Sequence, residues 1–180
     1  MTAVLIALGD EYRRDDGVGP AIARALRSGG LPAQVVISQG DPAELIESWS
    51  GAAVAVVLDA VRVEFPRPGR VHVLDPADLD TSAATGTHGF DLGAAIALGH
   101  AIDRMPDRLV IIGVEVADMA HGPGLSPDVA RAAPIVARAV VDALFPGQEV
   151  PLMSPWELVR DSGVVPTTAE SSLRTPPSRR

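Results

Sequence analysis

Cysteine and lysine are both absent from the 180-residue sequence, and aromatic residues make up only 3% of it. Without cysteine, the chain cannot form a disulfide, a thiol nucleophile or a cysteine-ligated zinc site. Without lysine, it lacks Schiff-base chemistry and the lysine of phosphate-binding loops. The scarcity of aromatic rings argues against a base-stacking platform for single-stranded nucleic acid. Apolar residues nevertheless reach 47%, so we expect a folded core built from Ala, Val, Leu and Ile.

The charged residues are predominantly acidic. All 15 basic residues are arginine, 23 residues are acidic, and the net charge is -8. A surface of this kind is a poor match for nucleic acid or an anionic membrane, so we expect neither as a partner. The apolar run near the N-terminus has no basic start and is soon followed by acids, which predicts a strand rather than a signal peptide. We therefore expect a cytoplasmic protein.

Short apolar runs alternate with segments of helical period, a pattern typical of a layered α/β fold. We predict one domain over residues 1–147 and a Pro/Ser/Thr-rich tail over 148–180, largely flexible, with one helical turn near Trp156. The predicted strands are 3–8, 34–38, 53–59, 70–74 and 108–116, and the predicted helices are 18–28, 42–49, 89–103 and 126–145.

The connection between the third and fourth strands is too short to hold a crossover helix and contains two prolines and a glycine. It predicts an antiparallel hairpin, so the strand near 70–74 should run against an otherwise parallel sheet. The next helix must then begin at the carboxyl edge, the edge where open α/β sheets bind their ligands. His88 stands at the start of that helix.

Acidic residues cluster directly after the first strand. Residues 10–16 hold four acids and two arginines, an unusual density in so apolar a chain. Asp15 or Asp16 could simply cap the following helix, with the nearby glycines easing the turn. Asp59 ends the otherwise apolar third strand, where a carboxylate is either a turn former or a site residue.

Three residues from separate segments should converge on the carboxyl edge: Asp16, Asp59 and His88. Two carboxylates and an imidazole suit a divalent first-row metal with open positions, and nickel accepts such ligands. The same trio could polarise a water for hydrolysis, through a metal or as a general base. His121 follows the fifth strand and is the rival imidazole, whereas His72 and His100 lie inside a strand and a helix and are predicted to be structural.

These segments resemble the nickel-iron hydrogenase maturation proteases, in which a first strand leads into a Gly-Asn loop, an acidic pair and Gly-x-Gly. The matching residues here are Gly9-Asp10, Asp15-Asp16 and Gly17-Val18-Gly19, followed by Asp59 in VVLDAV and His88 in THGFDL. A late family segment, GIEP…G…GLSP, matches residues 112–115 and 122–127. The resemblance spans about residues 3–145, with Asp10 in place of the family's asparagine.

The resemblance implies a three-layer α/β/α fold with a mostly parallel five-stranded sheet. It also implies an endopeptidase that removes a C-terminal peptide from a hydrogenase large-subunit precursor after nickel insertion. In such enzymes the positions matched by Asp16, Asp59 and His88 are thought to sense the nickel of the substrate, and no metal is bound permanently.

Two other functions are considered. A non-catalytic chaperone could bind the nickel-loaded subunit without cutting it. A nucleotide-binding module could use the glycines after the first strand, with Asp41 on a ribose. The second is disfavoured because carboxylates interrupt the glycines where a phosphate would bind.

Overall fold

The computed structural model describes residues 2–76 and 89–150, without the side chains of residues 89–91. Within these ranges the chain forms a five-stranded sheet with α-helices on both faces, which confirms the predicted α/β architecture. The strands are β1 (Ala3–Leu8), β2 (Gln34–Ser38), β3 (Val54–Val61), β4 (Val71–Leu74) and β5 (Leu109–Glu115), and the helices are α1 (Val18–Ser28), α2 (Pro42–Trp49), α3 (Gly89–Ala101) and α4 (Pro127–Leu144).

Strand composition accounts for position in the sheet, whose order is β2-β1-β3-β5-β4. The three interior strands, β1, β3 and β5, are almost entirely apolar and buried, as expected for strands covered on both faces. The outer strands β2 and β4 are more exposed and carry polar residues. All neighbouring strands are parallel except β4 and β5.

In the part of the chain that the structure describes, two helices cover each face of the sheet. The first and last helices pack on one face, and α2 and α3 pack on the other. The side chain of Asp41 caps α2, accepting hydrogen bonds from the amides of Ala43 and Glu44 at 3.0 Å each. Asp41, which a nucleotide-binding module would place on a ribose, therefore has a local structural role as a helix cap. Of the helices described, none has the length and apolar content needed to cross a membrane.

The prediction that the strand near 70–74 is antiparallel is confirmed, but the predicted hairpin is wrong. β4 pairs with β5 and not with β3, so β5 lies between the two strands that are consecutive in sequence. Residues 62–70 need to cross only two strand spacings, roughly 10 Å, which a connection of this length spans easily. The apolar β5 gains more by occupying the buried interior position, while the short, half-exposed β4 suits an edge.

Three predictions concern residues outside the described ranges: the position of His88, the helical turn near Trp156, and the flexible tail beyond residue 150. Within those ranges, Val150 is still partly buried against the core formed with α1 and α4.

Candidate active site

The first strand and its neighbour β3 flank the point where the chain changes direction across the sheet. The first connection leads from β1 outward to β2, and the second returns through α2 to β3 on the other side of β1. Ligands of open α/β sheets bind in the crevice outside the carboxyl ends of the strands at such a point. Asp16 follows β1, and Asp59 lies near the end of β3, so both acids border this crevice.

Asp16 belongs to a 3₁₀ helix over Arg14–Gly17 and is only 1% exposed. Its Oδ2 accepts a hydrogen bond from the amide of Asp10 at 3.1 Å. Its Oδ1 is buried and has no hydrogen-bond partner among the residues that the structure describes. A buried carboxylate oxygen without a partner is destabilising, by about 1–3 kcal/mol or more for a charged group. This is the most unusual polar group in the described part of the fold.

Close backbone packing determines where Asp16 lies. Gly9 has φ +128°, and a Cβ atom there would lie 2.0 Å from the Asp16 carbonyl oxygen. Gly19 opens α1 so close to the sheet that a Cβ atom there would lie 2.5 Å from the carbonyl oxygen of Leu8 and 3.2 Å from that of Leu58. Glycine at these two positions therefore lets the acidic segment rest directly on the ends of β1 and β3.

Asp10 stands where the nickel-iron hydrogenase maturation proteases have asparagine. It makes a hydrogen bond that either side chain could make. Its Oδ1 accepts a hydrogen bond from the amide of Tyr12 at 2.9 Å, a bond that an asparagine oxygen would also accept. Its own amide supports Asp16. The replacement is thus compatible with the same loop conformation.

The neighbouring Asp15 is fully buried and fully bonded. It accepts hydrogen bonds from the Ser126 amide at 2.6 Å, the Ser126 hydroxyl at 3.0 Å and the Asp118 amide at 3.3 Å. Neither Asp15 nor Asp16 caps α1, whose N-terminal cap makes no side-chain hydrogen bond. Asp15 instead ties the loop after β1 to the loop before α4, which identifies it as the structural member of the acidic pair.

Asp59 is 3% exposed and lies opposite Gly113 of β5. Along β3, Ala55 and Val57 contribute to the core shared with α2 and α3. Because side chains alternate along a strand, Asp59 points to this same face. The second acid therefore lies on the face covered by α3, the helix that directly follows His88 in sequence.

The C-terminal end of α3 is anchored at the amino edge of the sheet. The indole nitrogen of Trp49 donates to the carbonyl of Arg104 at 3.0 Å, and the amide of Asp107 donates to that of Ala52 at 3.0 Å. A helix of 13 residues is roughly 20 Å long. Its first residues therefore lie toward the carboxyl edge, the edge that also carries Asp16 and Asp59.

The other three histidines are accounted for differently. His121 is exposed in the loop between β5 and α4, and His100 is exposed on α3. Considering only residues 2–76 and 89–150, no three His, Asp or Glu side chains lie close enough together to hold a metal ion. His121 thus does not join Asp16 and Asp59 in such a group.

Glu115 is a further buried acid at the same edge, and the sequence indicated it only as part of the segment 112–115. It accepts a hydrogen bond from the Arg67 amide at 2.6 Å, bonds His72 Nε2 at 2.7 Å, and lies 3.8 Å from the Arg70 guanidinium. The Arg67 amide, with the help of His72 and Arg70, holds the pKa of Glu115 below its ordinary value despite burial. Glu115 therefore secures the connection between β3 and β4, and His72 is structural, as predicted.

This arrangement predicts a specific loss of stability in acid. Because folding lowers the Glu115 pKa below 4.5, its contribution is complete above pH 4.5 and is lost as the pH falls through the lower folded-state value. We expect Glu115→Gln to lower the free energy of unfolding at neutral pH by about 1–3 kcal/mol and to flatten its pH dependence below 4.5. Urea denaturation at a series of pH values measures both effects. Glu47→Gln, at an exposed site on α2, should change neither; an unaltered pH dependence in Glu115→Gln would contradict the assignment.

A cleft of about 280 Å³ opens beside the first loop. Its wall combines apolar and polar groups, and an ion pair between Arg24 and Glu11 forms part of it. The residues lining it are Gly9, Asp10, Glu11, Tyr12, Pro20, Arg24, Ile37 and Gln39. Because Gly9 and Asp10 also support Asp16, the cleft adjoins the candidate site.

Comparison with known proteins gives one consistent result. The model of the HycI family, hydrogenase maturation protease, matches residues 21–143. A search of curated proteins gives no match. Among solved structures, the hydrogenase maturating endopeptidase HybD from E. coli is 22% identical, with a TM-score of 0.68, over 80% of this chain and 92% of that one.

Two archaeal structures are similar in the same way. The [NiFe] hydrogenase maturation protease HybD from Thermococcus kodakarensis is 24% identical, with a TM-score of 0.62, over 79% of this chain and 95% of that one. The hydrogenase 2 maturation peptidase from a Thaumarchaeota archaeon is 26% identical, with a TM-score of 0.56, over 80% of this chain and 98% of that one.

Proposed function

The chain belongs to the hydrogenase maturation protease family, and on that premise we propose that Asp16, Asp59 and His88 recognise the nickel ion of its substrate. The chain is an endopeptidase that cleaves the C-terminus of a hydrogenase large subunit. Membership sets aside the nucleotide-binding module and the non-catalytic chaperone as functions. We further propose that it acts in the cytoplasm on the nickel-loaded precursor.

The observation that carries the proposal is the buried Oδ1 of Asp16, which has no hydrogen-bond partner among residues 2–76 and 89–150. A carboxylate in that state gains more from a cation than an exposed carboxylate does, because little water competes for it. A cation that arrives with the substrate would offset the cost of keeping this oxygen buried. The nickel ion of a correctly loaded precursor would therefore be a favourable partner for the Asp16 carboxylate.

Nickel suits the three side chains. It accepts oxygen and imidazole ligands, so Asp16 and Asp59 would each supply a carboxylate oxygen and His88 a ring nitrogen. The ion would remain held by the large subunit, and the protease would complete its surroundings only during the encounter. This explains how a protease without a permanent metal could distinguish a loaded precursor from an empty one.

Hydrolysis places further demands on the same edge. A water must lose a proton as it adds to the scissile carbonyl carbon, the C–N bond must break, and the departing nitrogen must receive a proton. The water can be polarised by the nickel ion or by one of the two carboxylates acting as a base. In both routes, recognition of nickel beside Asp16 and Asp59 positions the peptide bond for attack.

Nickel dependence is the direct test of this function. We expect purified wild-type protease to shorten a nickel-loaded precursor completely and to leave the nickel-free precursor intact, because only the loaded form offers an ion to the acids. Intact-mass measurement of the precursor gives the fraction trimmed in each case. Equal trimming of the two forms would show that the acids do not sense nickel.

A further inference from the structure

Among the side chains that the structure describes, the exposed aromatic ones lie at one edge of the sheet. The described side chains include four aromatic ones, of which Trp49 is buried and Phe145 partly buried. The other two, Tyr12 and Phe65, are 67% and 83% exposed. Both belong to loops at the carboxyl edge, one after β1 and one after β3.

The two rings belong to the loops that follow β1 and β3, the strands that border the crevice. Tyr12 forms part of the cleft on the β2 side of Asp16. Phe65 lies in the connection that passes from β3 across the end of β5 to β4. Val63, in the same connection, is also exposed. The three side chains therefore lie in the same two connections, after β1 and β3, that adjoin Asp16 and Asp59.

Backbone hydrogen bonds hold both loops in place. The carbonyl of Tyr12 accepts from the Gly122 amide at 2.8 Å. The connection carrying Phe65 is bound to Glu115 twice, by the Arg67 amide on its carboxylate at 2.6 Å and by the Gly69 amide on its carbonyl at 2.8 Å. Because the backbone of both loops is already ordered, binding through them costs less conformational entropy than binding through a flexible loop would.

We propose that Tyr12, Val63 and Phe65 form an apolar rim on which the folded large-subunit precursor docks, through an apolar surface around its C-terminal segment. The inference rests on the proposed function, since a substrate whose peptide bond reaches Asp16 and Asp59 must cover this edge. Exposed aromatic residues at the centre of an interface commonly supply much of its affinity. The rim acts through contact with protein and not with metal, so it binds the precursor whether or not nickel is present.

In this arrangement one group of residues provides affinity for the precursor, and another makes cleavage depend on nickel. The rim would retain a precursor at the edge, and the acids would respond only when nickel is in place. Other exposed apolar side chains, such as Ile102 just after α3 and Ile135 on α4, lie away from the carboxyl loops. They provide a matched control, because truncating them removes apolar surface elsewhere on the same molecule.

The test measures equilibrium binding of the full-length protease to the purified nickel-free precursor by biolayer interferometry. The double variant Tyr12→Ala/Phe65→Ala should bind at least about tenfold more weakly than wild type. The control double variant Ile102→Ala/Ile135→Ala should bind within about twofold of wild type. With the nickel-loaded precursor, the rim variant should show a higher KM with little change in kcat, since it lacks binding contacts and not the acids.

Wild-type affinity in the rim variant would overturn the docking surface, and so would failure of the wild type to bind the nickel-free precursor. An equal loss in the control variant would also overturn it, because it would show a general surface effect. None of these outcomes depends on cleavage. Trimming of the loaded precursor by wild type is scored separately, so failure of the proposed function is distinguishable from failure of the rim.

Discussion

Replacing Asp59 with asparagine is expected to abolish trimming of the nickel-loaded precursor. The substitution preserves side-chain size and an oxygen for hydrogen bonding but removes the negative charge that a divalent ion favours. The site would retain its shape and lose one of its two carboxylates. A reduction of about 100-fold or more is expected, comparable with the loss of an electrostatic group in other hydrolytic sites. The measurement is the fraction of precursor trimmed with time, followed by intact mass.

Folding must be monitored in the same experiment because Asp59 is buried. Thermal melting of the variant should remain cooperative, and binding to the nickel-free precursor should persist, since the proposed rim is unchanged. His88→Ala and Asp16→Ala should match the loss of trimming if the three residues act together. Efficient trimming by the Asp59→Asn variant would exclude this carboxylate charge from nickel recognition.

The elements of the fold could be predicted because their signals are local. Continuous apolar runs identified β1, β3 and β5, and helical periodicity identified α1 and α4. The order of the strands in the sheet could not be predicted in this way, because it does not depend on local signals. The hairpin between β3 and β4 followed from a short connection, but pairing is decided by which strand gains most from burial. The apolar β5 occupies the interior position, although it is farther away in sequence.

The candidate site, like the fold, could be predicted from the sequence only in part. Its acids could be recognised from their position after apolar strands, because parallel strands bring their carboxyl ends to one edge. The distinction between Asp15 and Asp16 could not, since it depends on Ser126, 111 residues from Asp15 in sequence. Asp15 is satisfied by that contact, whereas Asp16 retains a free buried oxygen among the described residues. Adjacent residues of the same type therefore differ because of a distant partner.

Glu115 illustrates the same limit. On sequence alone it is an acid near the end of a predicted apolar strand, much like Asp59, and no local signal separates the two. The structure pairs it with the Arg67 amide, in the connection after β3, and with His72 on β4. The predicted hairpin would have placed β4 beside β3 and not beside β5, the strand that carries Glu115. An error in strand order thus concealed the partners that identify Glu115 as structural.

Gly9→Ala is expected to impair both stability and activity through a single added carbon. Gly9 has φ +128°, a conformation that L-residues rarely adopt, and the new Cβ would lie 2.0 Å from the carbonyl oxygen of Asp16. The acidic segment must move away to relieve this contact. Since displacement of a site residue by about 1 Å can cost about 100-fold in rate, we expect trimming of the nickel-loaded precursor to fall by that order. The free energy of unfolding should fall by about 3 kcal/mol or more, measured by urea denaturation.

Gly30→Ala is the matched control for this prediction. Gly30 also has positive φ, +85°, but a Cβ atom there would meet no atom of the described residues within 4 Å. Its substitution therefore imposes the backbone cost alone, about 1–2 kcal/mol, and should leave trimming unchanged. The difference between the two variants isolates the steric contact of Gly9 with Asp16 from the general cost of a side chain at positive φ. If Gly9→Ala trimmed the precursor at the rate of Gly30→Ala, the close packing of Gly9 would not be what positions Asp16 for its role.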